Sequence, residues 1–238
     1  MVTRYGCRRA RANKRWTDFM ISKTINNVES PIAQVIFAHG AGANMHHEFM
    51  AQITKLLNKA GINVLRFNFP YMDKRDKTGK RYPPDRMPKL IDCYQFVINE
   101  FIEQLDDNAK LPIFIGGKSM GSRVAATLAG DDAISKKING VFCLGYPFHP
   151  AKKPEKLRLT PLQNTDKPIL IVQGERDTLG SQIEIGEYET STMCQYVFLA
   201  DGDHSLKPRV KSGFTHQQHM ESAVNAVVTF MMRDTDNE

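Results

Sequence analysis

The sequence lacks an apolar run of the roughly 18 residues that a helix needs to cross a bilayer. Its basic beginning is not followed by a hydrophobic region, so neither a secretory nor a twin-arginine signal is indicated. Internal repeats, low-complexity tracts and zinc-ligand spacings are missing as well. No membrane partner is therefore expected. With 238 residues, 41% of them apolar, the chain is long enough to bury a full core.

Acidic residues are missing from residues 1–15, although the chain holds 26 of them. The six basic residues of this stretch account for the whole net charge of +6: Arg4, Arg8, Arg9, Arg11, Lys14 and Arg15. The rest of the chain is balanced in charge, so a basic face that binds nucleic acid is not expected. We expect residues 1–15 to form a solvated, disordered tail. Weak phosphate contacts by this tail, or an organellar transit peptide, are the alternatives.

Side chains that bind metals or form disulfides are few and scattered. The four cysteines are typical of reduced core thiols, which favours a reducing, cytoplasmic compartment: Cys7, Cys93, Cys143 and Cys194. Four histidines stand in pairs, but no carboxylate or cysteine at ligand spacing completes a metal site: His46, His47, His216 and His219. We expect these four to be helix-surface histidines, and we expect neither a metal nor a cofactor.

Short apolar runs alternate with helical patterns along the chain. The runs predict strands at residues 34–39, 63–69, 140–145, 168–174 and 194–199, another beginning at Ile113, and a weaker edge strand at 16–22. Helical spacing predicts helices at residues 46–59, 89–105 and 213–232. Near-continuous apolar strands that alternate with helices are typical of a parallel sheet buried on both faces. The sequence predicts an α/β fold with a mostly parallel central sheet, in one domain over residues 16–238.

The stretch from Ile113 to Leu128 combines an apolar run, a glycine-rich turn and an amphipathic run. At its centre, Gly117-Lys-Ser-Met-Gly121 fits the G-x-S-x-G pattern of a nucleophile elbow. In an elbow the serine occupies a strained strand-to-helix turn, so the residues two positions away on either side must be small. The pattern alone is common, and the flanking strand and helix give it weight. Ser119 is the candidate nucleophile, and an ordinary turn is the alternative.

A serine hydroxyl is a poor nucleophile on its own and needs a base, usually histidine, whose pKa is about 6.5. A carboxylate in turn fixes the tautomer of that histidine. Asp177 and His204 each follow a predicted strand, and with Ser119 they keep the chain order serine, acid, histidine that this architecture predicts. Asp177 as a simple turn residue is one alternative. The rival acids are Glu175, the main one, and the weaker Asp201 and Asp203.

Acyl transfer develops a negative charge on the carbonyl oxygen, which backbone N–H groups must already be placed to receive. The N–H of Met120, after the nucleophile, is one candidate donor, at a helix start where the helix dipole helps. The second donor should come from the loop after an early strand. His39-Gly-Ala-Gly-Ala43 is that loop, and we assign the second donor to the N–H of Ala41. A simple glycine turn is the alternative.

Residues 73–88 are dense in charge, contain adjacent prolines and are too polar for a core. They are too long for a simple turn, so we expect a lid or a binding loop. Basic residues outnumber acidic ones in this segment, and Lys118, Lys207 and Arg209 neighbour the candidate catalytic residues. An anionic acyl or alcohol portion of the substrate is one hypothesis, and a solvated surface is the other.

Six short segments together resemble one branch of the α/β-hydrolases, over about residues 30–232: His39–Ala43, Arg66–Met72, Pro83–Arg86, Gly117–Gly121, Gly174–Asp177 and Gly202–Arg209. This branch consists of small bacterial predicted hydrolases. It is similar to the hydrolase-like domains of a testis-expressed protein and of the third regulatory subunit of the non-specific-lethal histone acetyltransferase complex. The resemblance implies an α/β-hydrolase fold without a large cap domain, and a triad of Ser119, Asp177 and His204.

Together these features predict a serine hydrolase of the esterase or thioesterase type. The expected partner is a small-molecule acyl substrate, and the expected reaction passes through an acyl-enzyme intermediate. The sequence leaves the bond that is cleaved and the oligomeric state open. Because a fold does not determine a function, a non-catalytic or weakly catalytic protein-interaction module is the alternative.

Overall fold

The computed structural model describes residues 21–105 and 111–235, with side chains described as far as Arg233. Seven strands form one sheet: β1 (Lys23–Asn26), β2 (Ala33–Ala38), β3 (Ile62–Phe67), β4 (Ile113–Lys118), β5 (Gly140–Leu144), β6 (Ile169–Gly174) and β7 (Cys194–Leu199). Their order across the sheet is β1-β3-β2-β4-β5-β6-β7. Only β1 is antiparallel to its neighbour, so the mostly parallel sheet predicted from the sequence is confirmed.

Helices connect the strands and cover the sheet. They are α1 (Glu48–Lys59), α2 (Pro70–Thr78), α3 (Met87–Glu103), α4 (Met120–Ala129), α5 (Asp132–Ser135), α6 (Thr160–Gln163), α7 (Gln182–Ile185) and α8 (His216–Thr235), with a 3₁₀ turn at Val210–Ser212. The buried residues of α1 and α8 pack in one core cluster, and those of α3 and α4 pack in another. Helices therefore lie on both faces of the sheet.

The two core clusters explain why the strand sequences are nearly continuous runs of apolar residues. Along β2, Val35 and Phe37 belong to the cluster under α1 and α8, whereas Ile36 and Ala38 belong to the other. Successive side chains of a strand point to opposite faces, and here both faces are buried. Every residue of β2, β3, β5 and β6 is buried as a result.

The segment expected to be a lid or binding loop over residues 73–88 is in part a helix. Pro70 occupies the first turn of α2, where its fixed φ suits a helix, and Tyr71 and Met72 are buried beneath it. The helix ends at Gly79, whose φ of 66° is left-handed. Only residues 79–86 form an irregular segment before α3 begins.

The beginning of the chain is described only from Ile21 onward. Residues 16–20 of the expected edge strand, the tail of residues 1–15 and Cys7 lie outside the described residues, and the observed edge strand is β1 instead. Cys93, Cys143 and Cys194 are free thiols. Among the residues from 21 to 105 and from 111 to 235, no helix is both long and apolar enough to span a bilayer.

Candidate active site

Parallel strands point their carboxyl ends toward one edge of the sheet, and the loops beyond that edge carry the predicted site residues. Ser119 follows β4, Asp177 follows β6 and His204 follows β7. The loop of residues 39–43 follows β2, the neighbour of β4. The topology therefore brings together side chains that are far apart in the sequence.

Ser119 lies in a backbone conformation that residues with side chains rarely adopt, with φ 53° and ψ −112°. The turn is crowded on both sides. A Cβ atom on Gly117 would lie 2.2 Å from the carbonyl carbon of Gly121, and one on Gly121 would lie 2.5 Å from the carbonyl oxygen of Ala38. Both glycines are thus required by close packing, as the G-x-S-x-G pattern predicts.

Two hydrogen bonds join Ser119, His204 and Asp177. Nε2 of His204 lies 2.8 Å from Oγ of Ser119, and Nδ1 of the same ring lies 2.7 Å from Oδ2 of Asp177. Because a carboxylate only accepts, Nδ1 carries the proton in this pair, and the neutral ring then accepts from the serine hydroxyl at Nε2. The side chain of Asp177 is fully buried, so its orientation is fixed by the surrounding protein.

The carboxylate of Asp177 is held by two further donors. Nε2 of Gln173 donates to Oδ2 at 2.8 Å, and the N–H of Leu179 donates to Oδ1 at 2.8 Å. Sequence reasoning missed Gln173. Its signal was a polar residue near the end of an otherwise apolar strand, where it is fully buried.

The three rival acids are engaged elsewhere. Glu175 accepts the N–H of Asp201 at 2.7 Å, and Asp201 pairs with the guanidinium of Arg209. Asp203 accepts N–H groups of its own loop. Within the described ranges, Asp177 alone among the four candidates contacts the ring of His204.

The loop of residues 39–43 forms a wall of a cavity of about 410 Å³ that also contains Ser119 and His204. The ring of His39 holds this loop, because Nε2 accepts the N–H of Phe69 at 3.0 Å and Nδ1 donates to the carbonyl of Gly40 at 2.7 Å. Burial lowers the pKa of His39 to about 4, so the ring is neutral at physiological pH. His39 is therefore a structural support of the cavity wall.

The expected oxyanion donors belong to two different segments of the chain. Ala41 lines the cavity, and Met120 begins α4. Among the described residues, neither backbone N–H donates to another protein group. Both donors are consequently free to bind a ligand atom.

Lys118 is nearly buried between the serine and the histidine loop, with 9% of its surface exposed. Its Nζ donates to the carbonyl oxygen of His204. Burial lowers its pKa to about 8, while the charges of Asp177 and Asp203 act in the opposite direction. Gly145 leaves space for this contact, since a Cβ there would lie 2.7 Å from Nζ and 2.8 Å from the same carbonyl oxygen.

The remaining predicted histidines have structural roles. His47 accepts the N–H of Phe49 at the start of α1, and His216 lies 3.0 Å from the carbonyl of Ser205. The expectation of a surface position is wrong for His219, which is only 3% exposed and donates to the carbonyl of Leu206. In the part of the chain that the structure describes, no three His, Cys, Asp or Glu side chains are grouped to hold a metal.

Comparison with known proteins gives one matching family and many solved structures of similar fold. An alpha-beta serine hydrolase homologue from Coxiella burnetii has a TM-score of 0.62, 16% identity and 90% coverage of each chain. Est1E from Butyrivibrio proteoclasticus, with ferulic acid bound, has a TM-score of 0.66, 15% identity and coverage of 91% of this chain and 96% of that one. A serine hydrolase without a lid from Xanthomonas campestris has a TM-score of 0.60, 16% identity and coverage of 88% and 89%.

These low identities establish the fold alone, and the family rests on the sequence itself. A family model described as an alpha/beta hydrolase domain matches residues 31–232, most of the chain. The described residues contain no large cap domain over the carboxyl ends of the strands, as expected. The chain therefore belongs to the alpha/beta hydrolase domain family and has the α/β-hydrolase fold.

Proposed function

We propose that this protein is a serine hydrolase that cleaves a small carboxylic ester or thioester through an acyl-enzyme intermediate. The observation that supports this most is the continuous hydrogen-bonded path from Ser119 Oγ through His204 to the buried carboxylate of Asp177. Such a path lets the serine lose its proton as it attacks, because the ring can accept the proton and the carboxylate stabilises the resulting imidazolium.

The proposed reaction has two halves. Oγ of Ser119 attacks the carbonyl carbon while Nε2 of His204 takes the hydroxyl proton, and the same nitrogen then gives that proton to the departing alcohol or thiol. A water molecule next attacks the acyl-enzyme, again losing a proton to His204. That proton returns to Oγ as the acid leaves. Asp177 stays ionised throughout and orients the ring.

Both tetrahedral intermediates carry an oxyanion, for which we propose the N–H groups of Ala41 and Met120. Two observations support this assignment: both groups lack a protein acceptor within the described residues, and a Cβ on Gly40, next to Ala41, would lie 3.6 Å from Cβ of Ser119. Removing one such donor typically costs about 10²–10³ in rate.

The size of the cavity supports a small acyl or alcohol group. About 410 Å³ lies in the range of sites for small organic ligands. The ferulic acid held by Est1E is likewise a small organic acid. We also infer that the chain belongs to the branch of small bacterial hydrolases named above, on the strength of the six segments that resemble it.

Burst kinetics with p-nitrophenyl esters of short acids test the proposal. We expect wild type to release p-nitrophenol in an initial burst equal to the enzyme concentration, and Ser119→Ala to show no burst. His204→Gln should lose about 10⁴-fold or more in kcat, as removal of a triad histidine does. Ser30→Ala is the matched control, since Ser30 is exposed and precedes β2 at the opposite edge of the sheet. Wild-type turnover by Ser119→Ala would refute the proposal.

A further inference from the structure

A second cavity lies against the same loop that borders the Ser119 cavity. It has a volume of about 510 Å³ and shares Ala41 and Gly42 with that cavity. Its remaining lining comes from α2 and the irregular segment 79–86 and is rich in cations: Arg75, Gly79, Lys80, Arg81 and Pro84. No acidic residue is among them, so any ligand in this cavity meets positive charge.

Two of these cations are not committed to another protein group. Lys80 and Arg81 are exposed, and no carboxylate of the described residues pairs with either side chain. By contrast, Arg209 is occupied by Asp201 and Lys118 by the carbonyl of His204. Unpaired positive charge beside the site therefore lies in segment 79–86, together with the exposed Lys207 of the histidine loop.

The third cation is fixed in place. Nε of Arg75 donates to the carbonyl of Tyr82 at 2.6 Å, and its guanidinium lies 5.2 Å from the ring centroid of Tyr71. Arg75 thus ties α2 to the irregular segment.

Tyr71 connects this cationic wall to the loop at the Ser119 cavity. Its hydroxyl donates to the carbonyl of Ala41 at 3.1 Å, and its N–H donates to Oδ2 of Asp85 at 3.0 Å. Tyr71 thereby fixes the loop of residues 41–42, which lines both cavities, relative to segment 79–86.

We propose that the cavity lined by Arg75, Lys80 and Arg81 is a subsite for a carboxylate or phosphate carried by the ester substrate. The inference rests on the proposed function, because it places the scissile ester at Ser119 and the anionic end beyond residues 41–42. Guanidinium and ammonium groups suit either anion, and the arginine fork can bind two of its oxygens at once. The anion can belong to the acyl part or to the alcohol part of the ester.

Binding to the Ser119→Ala protein tests the subsite without turnover. Calorimetric titrations compare monomethyl adipate with dimethyl adipate for an acyl-side anion, and 4-acetoxybenzoate with its methyl ester for an alcohol-side anion. We expect the anionic member of one pair to bind about fivefold more tightly, the scale expected for two exposed ion pairs. The preference should fade in about 1 M salt, where the screening length falls to about 3 Å.

The decisive variant is Lys80→Gln/Arg81→Gln, and its control is Lys153→Gln/Lys156→Gln. The control removes the same charge from exposed lysines that line neither cavity. We expect the preference to disappear in the first variant and to persist in the control. Equal affinity for both members of each pair, or equal loss in both variants, would overturn the subsite.

Turnover of a neutral ester separates the subsite from the proposed function. Lys153→Gln/Lys156→Gln should hydrolyse p-nitrophenyl butyrate as wild type does, because those lysines line neither cavity. Absence of turnover by wild type, together with intact anion binding by Ser119→Ala, would refute the hydrolase and leave the anion site standing.

Discussion

A buried lysine next to a candidate nucleophile needs a reason, since burial disfavours an ammonium ion. Lys118 is 9% exposed, and its Nζ reaches the carbonyl of His204 across 86 positions of sequence. This contact ties the strand end that carries Ser119 to the loop that carries the base. We infer that Lys118 is a positioning residue that acts through His204.

Lys118→Met is expected to lower kcat about 10- to 100-fold with little change in KM, the scale of a misplaced catalytic group. Its thermal stability should not fall, because a buried charge is replaced by an apolar side chain of similar length. Lys118 loses its charge as the pH rises through its pKa of about 8. Wild-type kcat should therefore decline above that pH, and the variant should lack this part of the profile. Steady-state kinetics from pH 6 to 9.5 measure both effects.

The substitution Gly145→Ala tests the same contact between Lys118 and the carbonyl of His204. Gly145 has a φ of 65°, and an added Cβ would press on both Nζ of Lys118 and the carbonyl of His204. We expect a similar loss of kcat, here with lower stability. Wild-type kcat and an unchanged pH profile in Lys118→Met would contradict the positioning role.

At the residue scale, sequence reasoning identified groups that belong to a motif and missed those defined by contacts. Ser119, Asp177 and His204 follow from a local pattern and the order of the chain, and the structure brings these three side chains together. Lys118 stands at a variable position of the motif, and Gln173 sits inside a strand. The sequence does not reveal which distant group the side chain at either position contacts.

At the scale of elements, the loop after β2 depends on one neutral histidine. His39 joins the end of β2 to the start of α2 through the N–H of Phe69. Protonation of its ring would remove the acceptor at Nε2. The fold therefore favours the neutral ring, which agrees with the lowering of its pKa from 6.5 to about 4 by burial.

The pH dependence of stability tests this role. Above pH 6.5 the ring is neutral in both the folded and the unfolded chain. As the pH falls from 6.5 to 4, the unfolded chain binds a proton that the folded chain does not, so the free energy of unfolding falls by about 3 kcal/mol.

Urea unfolding at several pH values should show a shallower decline over this interval in His39→Gln than in wild type. His46→Gln, which changes an exposed histidine, should keep the wild-type slope. A wild-type slope in His39→Gln would exclude the proposed linkage.

The bounds of helices and strands were predictable where buried apolar runs alternate with turns. They were less predictable where a helix is rich in charged residues. Helix α2 contains four consecutive charged residues that are not buried, and this density suggested a loop: Lys74, Arg75, Asp76 and Lys77. Pro70 directly follows the strand predicted over residues 63–69 and could have ended it, but proline also begins helices. The buried pair Tyr71 and Met72 was the signal that the charge obscured.

At the scale of the whole molecule, the sheet was predictable because both of its faces are buried. Strands β2 to β7 read as apolar runs, and only the short antiparallel edge strand β1 did not. The expected division into a tail over residues 1–15 and one domain over 16–238 stays a prediction.

Deletion of residues 1–15 is expected to leave kcat/KM for a neutral ester and the melting temperature unchanged, since the site is built from residues 39 to 204. Salt-sensitive binding to oligonucleotides, if wild type shows any, should be lost with the tail. The measurements are ester turnover, thermal unfolding and fluorescence anisotropy with a labelled oligonucleotide. Loss of turnover or of stability in the shortened chain would contradict this division.

The central claim is that Ser119 is an activated nucleophile, and labelling by a fluorophosphonate probe tests it most directly. The account predicts that folded wild type is labelled at one site, that peptide mass spectrometry places the label on Ser119, and that Ser119→Ala is not labelled. Folded wild type that resists the probe, or a Ser119→Ala variant labelled as fully as wild type, would contradict it.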